Sequence, residues 1–389
     1  MSKKQRIGVI LYTNPDYYPV TAHAVELLSK KFDVTLIGRN QEPTFWSYPD
    51  NVSVLRLGEY SSVKEKEKQS RKTKLVEYYR FIRDSARHLQ DVSLIYAYDS
   101  FGYVAAYLCQ GLLHKRIKIV YQNHELSENL PSLLSLSGFV ERLERRWINK
   151  AEIVILPDED RASYFTKVNA LTQSPMIVPN FPPRNLVASI DNWDELIKSR
   201  WESKILFYRG TISDVSAMEE MLTASATVSD AAIRFVGFLN EAEDIRLQKI
   251  VMEQALANRF LYLGKLPYQD LQVHTLKATL GFALYKGIDL NRTACVSACQ
   301  KIYEYAACGL PVIVTDSSNY RNFLGEEIWV KFANPNDSQS VAAAISSILS
   351  DFSNYRAICL AARESFESRF NYEAVFEPVV SELKELIQV

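Results

Sequence analysis

The sequence lacks any apolar run that approaches the roughly 18–20 residues a membrane-spanning helix needs. Its first apolar run is the six residues from Ile7 to Tyr12, with Gly8 inside. That is shorter than the apolar core of a signal peptide, and no small-residue cleavage site follows it. The expectation is therefore a cytoplasmic protein. Charge of one sign is not in excess: 45 Lys and Arg stand against 46 Asp and Glu, a formal net charge of −1. A global attraction to nucleic acid is excluded, and none is expected as a partner. Cysteine is scarce and odd in number, at five: Cys109, Cys295, Cys299, Cys308 and Cys359. Cys295 and Cys299 lack the spacing and flanking histidines of a structural zinc site. Buried, reduced thiols are the better reading. The first apolar strand runs into YTNPDYYP rather than G-x-G-x-x-G, which excludes a dinucleotide oxidoreductase fingerprint. No D-x-D run stands in a loop suited to Mg2+. Neither a metal nor a cofactor is expected.

What the sequence does contain is one alternation, made twice. Apolar, β-branched runs at Ile7–Leu11, Val34–Ile37, Val52–Leu55, Leu94–Ala97, Ile117–Tyr121, Ile153–Leu156 and Met176–Val178 predict strands. Helix-period stretches such as Thr21–Lys31, Lys74–Leu89, Gly102–Leu113 and Gly138–Lys150 separate them. PNFPPRN, residues 179–185, interrupts the pattern with three prolines. The alternation then restarts at Ile205–Tyr208, Ile233–Val236, Phe260–Leu263, Leu280–Leu284, Val312–Thr315 and Ile328–Lys331, and the chain closes in helices. Strands buried on both faces and joined by helices imply parallel sheets with right-handed crossovers. The expected fold class is α/β, with two Rossmann-like, doubly wound domains over 1–185 and 186–370. The helix 371–389 is expected to pack back on the first. Ligands of such sheets sit beyond the carboxyl ends of the strands, so residues just after strands are the candidates for chemistry.

The most informative stretch is Gln300–Asp316, QKIYEYAACGLPVIVTD. It predicts a short helix closed by Gly309 in a left-handed cap, then a buried strand, with Pro311 unable to continue the helix. The helix N-terminus offers free amides and partial positive charge to an anion. Glu304 lies one turn in, suited to accept two hydroxyls, and Lys301 adds charge. The run K-I-Y-E-Y-A-A-C-G-L-P-V-I-V resembles the donor-binding signature of GT-B-fold glycosyltransferases, in particular the large retaining family with K-x-x-E-Y-x-A-x-G-x-P-V-I. YRGTI at 208–212, FLYLGKLPYQDL at 260–271 and LGFALYKGIDLN at 280–291 are similar to further segments of that family.

The resemblance implies two domains facing a cleft and a nucleoside-diphosphate sugar as donor, UDP- or GDP-linked. A glycan, lipid-linked or other hydroxyl acceptor takes the sugar, with retained configuration. It implies that Glu304 holds the ribose and that amides from Cys299 through Ile302, next to Tyr303, hold the diphosphate. Arg209, beside Gly210, and Lys286 are the expected phosphate contacts, and Lys265 and Leu266 the segment against the base. In the first half, His124 and Glu125 in YQNHEL follow a strand, similar to the His-acid pair such enzymes set beside the donor sugar. Asp99 is a further candidate, either as a base for the acceptor or as a helix cap. Two departures stand out. Val296 occupies the position where many members carry a first Glu, and no basic clamp follows Gly210 in TISDVSAMEE. These departures motivate a rival reading as a catalytically degenerate, sugar-nucleotide-binding partner. A sugar-nucleotide 2-epimerase is the other rival. The basic stretches KEKEKQSRKTK at 64–74 and ERLERRWINK at 141–150 raise peripheral membrane contact as an expectation.

Overall fold

The structure is a computed structural model that describes residues 4–41, 46–62, 69–124, 126, 131–132, 134–287 and 296–388. The chain divides into two compact units: residues 1–179 with 375–389, and residues 180–374.

In unit 1 the strands are β1 (Arg6–Ile10), β2 (Asp33–Gln41), β3 (Val52–Ser61), β4 (Leu94–Tyr98), β5 (Lys118–Gln122), β6 (Ile153–Leu156) and β7 (Met176–Ile177), in the order β3-β2-β1-β4-β5-β6-β7. In unit 2, β8 (Ile205–Arg209), β9 (Ala232–Val236), β10 (Phe260–Tyr262), β11 (Leu280–Ala283), β12 (Val312–Thr315) and β13 (Val330–Ala333) lie in the order β10-β9-β8-β11-β12-β13. Every pairing is parallel. The sheets are parallel because their central strands are apolar on both faces: all five residues of β4, LIYAY, are buried. Each order reverses once, at β1/β4 and at β8/β11, and those switch points are where side chains converge.

Helix starts follow capping chemistry. Ser70, Ser135, Asp158, Asn192, Asn240 and Asp351 each accept an amide of the first turn with their side chain. Asp158-Glu159-Asp160 spells D-x-D, but Asp158 is spent as the cap of Glu159–Asn169 and lies 3.3 Å from Arg161. The final helix, Tyr372–Gln388, begins in unit 2 and runs on as part of unit 1. There Phe376 packs near Tyr96, at 6.4 Å between ring centroids, and Lys118 Nζ donates to Leu386 O at 2.6 Å.

Part of the second basic stretch turns inward in the helix Leu136–Trp147. Glu144 is buried and accepts from the Tyr121 hydroxyl. Trp147 stacks on Tyr107 at 4.4 Å instead of being presented outward, and Lys150 Nζ lies over the same Tyr107 ring. Burial, reinforced by Asp99 and Glu141 nearby, pushes the Glu144 carboxyl up to about 8. An unfolded Glu releases its proton near pH ~4.3. The folded chain therefore holds more protons than the unfolded one between those values, and stability falls as pH rises through that window. Burial lowers His23 to about 4, which gives the opposite slope, but only below the ordinary histidine range. We expect wild-type stability in urea to decline by up to about 1.4 kcal/mol per pH unit between about pH 6.5 and 7.5 relative to Glu144→Gln. Parallel pH profiles for the two proteins would show that Glu144 is ionised in the folded chain.

Candidate active site

Unit 2 gathers its candidates where β8, β9 and β10 end. Each strand runs into a glycine with positive φ: Gly210 at 132°, Gly237 at 137° and Gly264 at 72°. The turns are stitched together by Gly210 N–H to Val236 O and Gly237 N–H to Gly264 O, both 2.9 Å. A Cβ on Gly237 would stand 1.9 Å from Gly210 O, so the turns require glycine for space as well as for φ. A Cβ on Gly210 would meet Lys301 Nζ at 2.6 Å. That bare backbone lets Lys301 reach the switch point. Its ammonium lies 4.6 Å from the Tyr208 ring and 5.0 Å from that of Tyr285, and it makes no ion pair among the described residues.

Glu304 stands on the helix Gln300–Ala307, which ends as expected with Gly309 at φ 61°. Its carboxylate is not open to water. Glu304 is 2% exposed, with Oε2 3.0 Å from Arg209 NH1 and Oε1 accepting from the Tyr268 hydroxyl at 2.7 Å. Burial works most strongly against the Arg209 charge, but Glu304, followed by Tyr268, Tyr305 and Cys308, together outweigh it and leave Arg209 raised. Burial first, and then the Glu304 charge, hold the Tyr268 hydroxyl well above its usual range.

Several expected contacts are placed differently. Arg209 is committed to Glu304 rather than open to phosphate. Lys286 is likewise committed, with Nζ 2.8 Å from both Asp214 and Glu220. The acidic segment after Gly210 captures the lysine, and Arg246 shares Asp214 with it at 3.1 Å. The Ile302 amide donates to Cys299 O at 3.1 Å, so it is not among the helix's free donors. Tyr303 is core: its ring packs on Phe181 at 4.2 Å and its hydroxyl donates to Val296 O at 2.8 Å. Cys299 is buried, its sulfur 3.5 Å from the Tyr285 hydroxyl. Lys265 is exposed with its ammonium 4.6 Å from the Phe238 ring, and Leu266 beside it is half-buried. Cys295 and residues 288–294 lie outside the described residues.

In unit 1 the structure brings together His124 and Asp99, which sequence had placed after separate strands. The His124 ring is layered between Tyr98 at 4.8 Å and Tyr18 at 5.0 Å, nearly parallel to both. Its Nε2 lies 3.0 Å from Thr21 Oγ1, and its amide donates to Asp99 Oδ1 at 2.8 Å. Asp99 is thus not the helix cap: it is the first residue of Asp99–Leu113, at φ 54°, and Tyr98 precedes it as the capping position. Glu125 lies outside the described residues, as do residues 64–68 of the first basic stretch. Among the described residues no cluster of three His, Cys, Asp or Glu is arranged for a metal, and no helix is long and apolar enough to cross a membrane.

Sequence reading missed Tyr268, Asp214, Glu220, Tyr98 and Thr21. Tyr268 sits inside a segment singled out for the base, but nothing in spacing ties it to a glutamate 36 positions away. The acidic run DVSAMEE was visible as an absence of base, though not as a trap for Lys286.

Residues 189–365, most of unit 2, match the family model described as glycosyl transferases group 1. No curated protein matches the sequence. Among solved structures, the chain is similar to sucrose-phosphate synthase from Thermosynechococcus elongatus at a TM-score of 0.72 and 17% identity, covering 99% of this chain and 100% of that one. It is similar to a Rickettsia africae glycosyltransferase at 0.71 and 12%, covering 100% of both chains. The Anabaena HepE structure in complex with UDP aligns at 0.69 and 13%, over 98% of this chain and 100% of that one. Two parallel-sheet units matching such structures end to end give the chain the GT-B fold, with a second unit that matches glycosyl transferases group 1.

Proposed function

We propose that the protein is a glycosyltransferase that moves a sugar from a UDP- or GDP-linked donor to a hydroxyl acceptor, with retention and without a metal. The observation that carries this reading is the setting of Glu304 and Lys301 on one short helix beside the glycine turns that end β8, β9 and β10. Glu304 is the ribose acceptor in this reading. The Tyr268 hydroxyl already donates to one of its oxygens, and a carboxylate oxygen has a second lone pair for an incoming hydroxyl. Lys301 and the free amides at the start of its helix take the diphosphate, whose charge grows as the sugar leaves. His124 of unit 1, gripped by two tyrosines, is assigned to the reacting sugar or its leaving phosphate. HepE was solved with UDP and a further neighbour with UDP-2-fluoro glucose, which favours uridine among the donors. A glycan or lipid-linked acceptor and peripheral contact with a membrane belong to the same proposal.

A second reading, a degenerate sugar-nucleotide-binding partner, is favoured by one observation: Lys286 is neutralised by Asp214 and Glu220. Thermal unfolding with UDP, GDP and their sugar conjugates, without added metal, tests both. Ligand at a hundred times its Kd stabilises the folded state by about 2.7 kcal/mol, so one nucleotide is expected to raise the melting temperature clearly. Glu304→Gln should abolish that rise. Alanine is the wrong control, because it strands buried Arg209. A rise without sugar transfer to any acceptor would favour the partner reading, and no rise with any nucleotide would remove the donor role altogether.

A further inference from the structure

We propose that a cavity in unit 1 binds an amphiphilic anion, with a phosphate or carboxylate held by Arg39 and a carbon body laid on Leu57, Val76 and Phe81. The cavity measures about 550 Å³. Its wall is made by Tyr12, by Arg39 of β2, by Leu57 to Glu59 of β3 and by one side of the helix Arg71–His88. Small-molecule sites are typically cavities of roughly 300–1,000 Å³ with a largely apolar wall and a few placed polar groups. This one has room for a whole molecule, where a free ion would fill only a corner.

Arg39 carries the argument because it is fixed, mostly buried and only partly used. Its side chain is 13% exposed, and its guanidinium lies 4.4 Å over the Tyr12 ring. That ring is itself held by Tyr78 at 4.8 Å, Phe81 at 5.0 Å and Phe101 at 5.3 Å. A guanidinium with its face on a ring presents all its N–H donors edgewise, in one plane. One nitrogen, NH2, donates to Glu77 Oε2 at 2.8 Å. Nε and NH1 meet no acceptor among the described residues, and neither is sealed from solvent. Donors set in a plane on a rigid support match the two oxygens of a phosphate or carboxylate. The Tyr12 hydroxyl is a further donor on this wall, and burial pushes it up to about 12, so it keeps its proton.

The remaining charges on the wall leave it positive. Glu77 is answered by Arg39 and by Gln69 Nε2 at 2.7 Å, and Asp84 by Arg83 and Arg87 at 2.9 and 3.2 Å. Lys72 and Arg80 make no ion pair among the described residues, and Glu59 is the one acid opposite them. Between Lys72 and Arg80, on the same face of the helix, stands Val76, an apolar side chain 41% exposed. An anion alone would leave Val76, Leu57 and Phe81 uncovered, and a neutral body alone would leave Arg39 without its acceptor. Tyr12 follows β1, so the cavity opens at the same end of the sheet as Asp99 and His124, which follow β4 and β5. Naming the anion as the acceptor substrate rests on the glycosyl-transfer reading, but its binding does not.

Saturation-transfer NMR titrations on the full chain without nucleotide test the binding, with octyl phosphate and octanoate as anionic probes below their micelle-forming concentrations. Octyl glucoside tests the body alone, and inorganic phosphate or acetate, added as competitors at equal concentration, tests the head alone. At least one anionic probe is expected to bind more tightly than octyl glucoside and to keep most of its signal against the free anions. Arg39→Gln should weaken that binding about tenfold, the worth of one hydrogen bond to a charged group. Val76→Asp sets a carboxylate on the apolar wall and should weaken it as well. Because Val76 is exposed, this variant decides the matter if Arg39→Gln, which also breaks the Glu77 pair, fails to fold. No signal from either anionic probe, binding no tighter than that of octyl glucoside, full displacement by the free anions, or equal binding by wild type and the folded variants would overturn the site. Binding of an anionic probe without any nucleotide-induced stabilisation of the chain would leave the site standing and remove only the transfer reading.

Discussion

Replacing Arg209 by methionine is expected to destabilise unit 2 by about 3–5 kcal/mol, while the double change Arg209→Met, Glu304→Leu recovers most of the loss. The guanidinium is 8% exposed and the carboxylate 3% exposed, at 3.0 Å. With Arg209 gone, Glu304 keeps only the Tyr268 hydroxyl in a site that water does not reach, and an uncompensated buried charge is what makes breaking such a pair costly. Removing both charges restores an apolar interior, because neighbouring Tyr208, Tyr305 and Cys308 are buried. Urea unfolding of wild type, the two single variants and the double gives the full cycle. A loss below about 1 kcal/mol in Arg209→Met would mean that Glu304 finds water or another donor, contrary to the burial described. The double variant also separates structure from recognition: it should be stable and yet show no nucleotide-induced stabilisation.

The pairing explains both what the sequence made legible and what it hid. The strands came out because periodicity and β-branching are local, and the cap at Gly309 because left-handed φ selects glycine locally. The helix carrying Glu304 was visible for the same reason. What Glu304 touches was not, because Arg209 ends β8 and Tyr268 begins another helix. Only the packing of β8 against β11 and the turns after β9 and β10 brings them together. Lys286 shows the same limit with the opposite outcome. Its place after β11 was legible, but two carboxylates on the β8 side claim it. Burial was the other blind spot. Glu144 reads as one more charge on a polar helix, and only the depth of Tyr121 in β5 reveals that it faces inward.

His124→Ala is expected to lower kcat for sugar transfer by about 10²–10⁴-fold, the usual worth of a positioned acid or base, with donor KM nearly unchanged. The ring is stacked between Tyr18 and Tyr98 and its Nε2 meets Thr21, so its orientation is fixed before substrate arrives. Pre-set geometry of this kind acts on the rate step rather than on ground-state binding. Two companion changes tell a chemical role from a packing role. Asp99→Asn retains an oxygen to accept the His124 amide, so the loop stays in place and only charge is lost. It should therefore cost less than the alanine change, unless Asp99 itself takes a proton. Thr21→Val removes the hydroxyl at Nε2 while keeping the shape, which frees the ring to adopt the wrong tautomer or tilt, and an intermediate loss in kcat is expected. If His124→Ala instead raised KM for the donor and spared kcat, the imidazole would be a binding contact only, and the chemistry would have to be sought elsewhere in unit 1.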